Sequence, residues 1–164
     1  DLDFRIETDL LILSLEQGVH KEFRLRAEPG RTVIVCPPDA SFDGKERQEW
    51  LRHVVERALR QQAEWMLPER LRALSALHGL PFGICRVNVS KGRWGSCSAR
   101  KDINLSCYLM LLPPHLMDYV LLHELAHTKE MNHGPQFWTL LDNMTEGQAK
   151  RLRQELRNYK PSIG

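Results

Sequence analysis

Val120-Leu121-Leu122-His123-Glu124-Leu125-Ala126-His127 decides how this chain is read. Two histidines four residues apart lie on one face of a helix, so both imidazoles can reach a single ion. Glu124 is rotated by about 100° from His123, which sets its carboxylate beside that ion and not on it. A carboxylate so placed can take a proton from metal-bound water. Val120, Leu121, Leu122, Leu125 and Ala126 make the helix apolar around most of its circumference. Polar groups in so apolar a helix need partners, because burying them alone is costly. The segment therefore reads as a metal-binding helix and not as a solvated one.

An open catalytic zinc site takes three protein ligands and leaves one position for water. His133, in Asn132-His133-Gly134-Pro135, lies six residues past His127 and can join the pair only if the chain turns first. Asn132 and Gly134 both tolerate left-handed backbone, and Pro135 suits the start of a new helix. Glu146 is the rival third ligand. Imidazole is the commoner partner in a histidine-rich site, which favours His133. The expected set is Zn2+ on His123, His127 and His133, with Glu124 as catalytic base. His20, His53, His78 and His115 stand isolated and read as surface or hydrogen-bonded residues.

The rest of the chain supports a small globular protein. Its 164 residues match the ~150 of one ordinary domain. Hydrophobic residues make up 42%, charged residues 27%, and the net charge is +2, which excludes a disordered chain and argues against a polycationic nucleic-acid binder while leaving room for a local basic patch. No apolar run approaches the ~20 residues of a membrane helix, so no membrane partner is expected. Asp1-Leu2-Asp3 shows no basic leader, and Cys36, Cys85, Cys97 and Cys107 form no C-x-x-C pair. Free thiols in a reducing, cytoplasmic setting are the expectation. Cys97 has no adjacent base and reads as a structural thiol.

One domain over residues 1–164 divides into three stretches. Residues 1–40 read as an antiparallel β meander, with Leu10–Leu13, Glu22–Arg26 and Thr32–Val35 between turn signals at Gln17-Gly18 and Glu28-Pro29-Gly30. Residues 41–79 read as helix, N-capped by Ser41, broken or kinked at Pro68 and closed by Gly79. Residues 80–164 form the catalytic core. There Cys85–Ser90 and Ile103–Ser106 read as strands, and helices are expected from Pro114 to about Glu130, from Pro135, and after the capping-box pattern Thr145-x-x-Gln148. The segment Ser96–Ser106 is expected at the sheet edge above the metal helix, where its free backbone groups could hold an extended peptide.

Arg93-Trp94-Gly95-Ser96-Cys97-Ser98, Ile103-Asn104-Leu105, Pro113, Asp118-Tyr119-Val120, the His123–His127 motif, Asn132-His133 and Phe137-Trp138 together resemble the YgjP-like metallopeptidase domain. That group is of zincin type and related to the SprT-like and WLM proteases. The resemblance implies metal ligation by His123, His127 and His133 and general-base catalysis by Glu124. It also implies a zincin-like α+β fold: an active-site helix packed against a short antiparallel sheet, with the N-terminal meander and long helix added. The implied function is a zinc-dependent hydrolase, a peptidase acting on peptides or unfolded proteins. Arg93 and Tyr119 are candidates for binding substrate or stabilising the oxyanion, while Trp94 reads as a core residue. Two alternatives keep the same site. One is a nucleotide phosphohydrolase with Arg93 on phosphate; the other is an SprT-like, DNA-associated protease. For nucleic acid the chain offers only Lys150, Arg151, Arg153, Arg157 and Lys160 against Glu155, which read first as a solvated helix face.

Overall fold

The computed structural model describes residues 4–19, 23–38 and 40–159; His20, Glu22 and Lys160 lie outside them. Strands β1 (Arg5–Glu7), β2 (Ile12–Gln17), β3 (Arg24–Glu28) and β4 (Arg31–Cys36) precede the long helix α1 (Lys45–His78). Strands β5 (Cys85–Asn88), β6 (Gly95–Cys97) and β7 (Ile103–Ser106) follow, then a 3₁₀ turn over Cys107–Leu111. Helices α2 (Pro114–His127), α3 (Pro135–Met144) and α4 (Ala149–Arg157) complete the described chain. The class is mixed α+β, as the sequence predicts. No helix among the described residues is long and apolar enough to cross a membrane.

The strand pairing differs from a plain meander. The first sheet has the order β1-β2-β4-β3, and β2 pairs with β4 in parallel, from Ile12↔Arg31 to Gln17↔Cys36. Composition explains the order. In β4, Thr32, Val33, Ile34 and Cys36 are all buried, and a strand covered on both faces belongs in the middle. The charged alternation of Arg24, Arg26 and Glu28 suits β3 to the edge.

Helix α1 continues through Pro68, where a break or kink is expected. Ala63, Leu67, Leu71 and Leu74 on its buried face hold both sides of the proline, outweighing the ~3 kcal/mol that an internal proline costs. Ser41 does not cap α1; the helix starts after Gly44, and Ser41 Oγ accepts from the Asp43 N–H instead. The sheet is pinned to this helix by one buried amide. Gln62 Nε2 donates to Glu28 O and Thr32 Oγ1, each at 2.8 Å, and Oε1 accepts from the Gly30 N–H at 2.8 Å. Gln62→Leu keeps the volume but orphans those groups, so it should lower unfolding free energy by about 1–3 kcal/mol in a denaturant melt. Unchanged stability would mean that the three bonds hold nothing.

The second sheet has the order β5-β7-β6, with β5 parallel and β6 antiparallel to β7. The β6–β7 hairpin is the expected one. Ile103 and Leu105 are fully buried because β7 is central, so the edge anticipated over Ser96–Ser106 belongs to β6 alone. Strand β5 packs on α1 and β6 on α2. A bidentate pair then fixes α2 to α1: Arg70 Nε and Nη2 donate to the Asp118 carboxylate at 2.9 and 2.7 Å.

The capping box before α4 does not form. Thr145 Oγ1 donates back to Leu141 O at 2.8 Å and so closes α3. Glu146 and Gly147 then reverse the chain with φ of 55° and 79°. Two successive left-handed residues leave no room for a cap that spans them.

Candidate metal centre and its cleft

Burial around nearly the whole of α2 fixes the rotation of its chemistry-bearing residues. Leu121, Leu125 and Ala126 are fully buried, and His123 and His127 share the face turned toward α3. The helix stops at His127, three residues before the expected end. Its last turn tightens there: Thr128 N–H bonds Leu125 O at 3.0 Å, and Lys129 N–H bonds Ala126 O at 3.1 Å, each reaching back three residues. This tightening replaces the left-handed turn anticipated at Asn132 and Gly134, and Gly134 has an ordinary φ of −83°. It also brings the Glu130 carbonyl within 3.0 Å of His127 Nδ1. With Nδ1–H donating there, the lone pair of Nε2 faces inward, as metal-bound imidazoles require.

His133 returns on the loop ahead of α3. Its Nε2 lies 2.9 Å from His127 Nε2 and 3.3 Å from His123 Nε2. The ligand atoms of all three lie within 4.8 Å of one another, the only such group of three among the described residues. Nitrogens bound tetrahedrally at 2.0–2.1 Å stand about 3.3 Å apart, so the triangle has the size of a metal site. Phe137, fully buried, forms its floor, with ring centroids 5.0, 4.5 and 4.9 Å from those of His123, His127 and His133. Burial, reinforced by the neighbouring His127 and His133, lowers the His123 pKa to about 3. Three imidazoles converging on one point fit a divalent cation.

Glu124 is 6% exposed and lies under β6. A Cβ on Gly95 would sit 3.1 Å from Glu124 Cγ, 3.2 Å from its Oε2 and 3.2 Å from Asn104 O. A side chain here would force Glu124 or the Asn104 backbone to give by a few tenths of an ångström. Burial pushes the Glu124 carboxyl up to about 7, with the Arg93 charge opposing.

Two cavities meet at Gly95, His123 and Glu124. One, of about 340 Å³, is lined by Ser96, Cys97, His127, Met131 and His133. The other, of about 430 Å³, is lined by Trp94, Tyr119, Arg153, Leu156, Arg157 and Tyr159. Arg93 borders both. The structure thus brings His123, Glu124, His127, His133, Arg93 and Tyr119 into one cleft. Glu146 stays outside, exposed on its turn and absent from the histidine group. Burial raises the Cys97 thiol to about 11, helped by the Glu124 and Asp102 charges, so it remains a thiol. Trp94 is half-buried and walls the cleft as well as packing on the core.

Arg153 and Arg157 were legible only as part of a basic helix face. Their i,i+4 spacing beside Leu152 and Leu156 is the available signal, since residues at that spacing share one side of a helix. Lys150 and Arg151 are exposed, as Arg153 and Arg157 are, but do not border the cleft.

Among solved structures, the crystal structure of the metallopeptidase zymogen of Pyrococcus abyssi abylysin is similar at 25% identity and a TM-score of 0.50. It covers 56% of this chain and 91% of its own. The metallopeptidase zymogen of Methanocaldococcus jannaschii jannalysin is 22% identical with a TM-score of 0.48, over 55% of this chain and 92% of its own. A comparison with curated proteins gives no match. The family model of the YgjP-like metallopeptidase domain matches residues 11–159. That match runs from the start of β2 to the end of α4, and the chain belongs to the YgjP-like metallopeptidase domain family.

Proposed function

We propose that this protein is a zinc-dependent peptidase in which His123, His127 and His133 hold the ion and Glu124 is the general base. The observation that carries this reading is the convergence of three Nε2 atoms, 2.9 and 3.3 Å apart along two sides, next to a buried carboxylate. When bound, the zinc ion supplies Lewis acidity that polarises the scissile carbonyl and acidifies the attacking water. A Glu124 carboxylate oxygen takes the proton from that water and passes it to the leaving amine. Arg93, which borders both cavities, is a cation available to the developing oxyanion.

Strand β6 supports a peptide as the substrate. Trp94 O accepts from the Ser106 N–H, and the Ser98 N–H donates to Asp102 O, so these residues face β7. Antiparallel pairing alternates, which turns the N–H and C=O of Gly95 and Cys97 to the open side. A peptide added along that edge would pass over Glu124 and lie across both cavities. A phosphohydrolase of nucleotides would use the same histidines and arginines but would gain nothing from the open edge.

Purification without chelator should yield about one zinc per chain. The loaded protein should cleave amide bonds in unfolded polypeptides. Turnover confined to nucleoside triphosphates would overturn the peptidase reading. Gly95→Ala tests the packing of β6 on Glu124. The added methyl displaces the carboxylate by a few tenths of an ångström, so kcat should fall about tenfold while zinc content holds. Undiminished kcat would show that this close approach does not matter.

A further inference from the structure

The larger cavity holds more positive charge than hydrolysis by Glu124 requires. Arg93, Arg153 and Arg157 all border it, and none of the three is ion-paired among the described residues. Arg153 is steadied by Trp138, whose ring centroid lies 5.3 Å from its Cζ. Arg157 follows one turn later on α4 and projects from the same side. Tyr119 Oη provides an independent observation. Tyr119 is only 2% exposed, and its Oη is the one buried side-chain polar atom without a hydrogen-bond partner among the described residues. It borders the same cavity. A buried hydroxyl left unpaired is costly and needs an acceptor, and three exposed guanidinium groups around one cavity attract an anion, so the two features together favour an anionic acceptor. The remaining walls, Trp94, Val120, Leu156 and Tyr159, are apolar or aromatic. A space of about 430 Å³ with such walls suits an amino-acid residue better than a bare ion.

We propose that this cavity is a carboxylate subsite, in which Arg153 and Arg157 bind an acidic group of the substrate close to the scissile bond and Tyr119 Oη donates to it. The proposal rests on the peptidase reading and sharpens it. Guanidinium groups bind carboxylates through paired, charge-assisted bonds, which makes the arginines specificity-determining residues. The carboxylate has two possible sources: the free C-terminus of a peptide or an Asp/Glu side chain.

Calorimetric titration of zinc-loaded Glu124→Gln protein separates these sources without relying on turnover. The probes are N-acetyl-Gly-Gly-Phe and its C-terminal amide, and N-acetyl-Gly-Gly-Glu amide and its Gln counterpart. At least one acid should bind about tenfold more tightly than its neutral twin. Preference in the first pair assigns the C-terminal carboxylate, and preference in the second the side chain. The preference should vanish in a protein that also carries Arg153→Gln and Arg157→Gln, with zinc content and melting temperature unchanged. Tyr119→Phe should reduce it in part. Equal or absent binding of acid and neutral probes would overturn the proposal, as would a preference that survives loss of both arginines. Tighter binding of a nucleoside triphosphate than of either acid would reassign the cavity to phosphate. Failure of the peptidase reading shows separately, as zinc-loaded parental protein that cleaves no polypeptide.

Discussion

Glu124→Gln is expected to cut amide hydrolysis by about 10²–10⁴-fold while leaving zinc content and fold in place. The carboxamide matches the carboxylate in size, so the side chain keeps its place against Gly95, where even a Cβ would sit 3.1 Å from Glu124 Cγ. What changes is proton affinity. An amide cannot take a proton from the attacking water, nor return one to the leaving amine. Glu124→Ala would be a poorer test, because the cavity it leaves could disturb β6 and the histidines together. The readouts are kcat on an unfolded polypeptide, zinc per chain by elemental analysis, and the thermal melt. Hydrolysis at the parental rate with full zinc would remove Glu124 from the mechanism. A loss of zinc along with activity would instead make Glu124 a ligand.

The centre of the site was legible because its information is local. His123 and His127 share a helix face by spacing alone, and the apolar run around them announces a buried helix. The return of His133 was legible from the turn residues and Pro135 that follow His127. The mechanism of that turn was not, because a tightened last helical turn leaves no signature in residue type. Glu130 illustrates the point: its backbone carbonyl orients His127, and a backbone carbonyl carries no sequence signal.

What stayed hidden depends on contacts distant in sequence. Local alternation predicts strands but not partners, so it does not reveal the parallel pairings β2–β4 and β5–β7, and the edge expected over Ser96–Ser106 falls on β6 alone. The run Thr32-Val33-Ile34-Val35, apolar on both faces, was the available hint of a central strand. Pro68 carries a real local cost, yet the buried residues on either side of it hold the helix through that position without a break. The role of Gly95 follows from the approach of Glu124, 29 positions away. Arg153 and Arg157 are exposed charges, and only the docking of α4 reveals that they border one cavity with Tyr119.

His133→Ala should weaken zinc binding by about 10²–10⁴-fold and take hydrolysis to background, whereas Glu146→Ala should change neither. The magnitude follows from sharing roughly 10–16 kcal/mol of zinc affinity among the ligands, which puts about 3–5 kcal/mol on each imidazole. His133 is the discriminating choice among the three histidines. It is exposed and belongs to a loop, so its removal does not disturb the packing of α2 as loss of buried His127 would. Its ring rests on Phe137 and near Trp138, with centroids 4.9 and 6.3 Å away, which places it before the ion arrives. Competition with a chelator of known affinity measures the zinc constant directly. Thermal melts add an independent reading, since a ligand that binds only the folded state raises the melting temperature, and that increment should shrink in the variant. The zinc-free melt should barely move. If His133→Ala keeps parental affinity while Glu146→Ala abolishes it, the turn at Glu146-Gly147 must swing inward to supply the third ligand. The exposed position of Glu146 and its absence from the histidine group speak against that rearrangement.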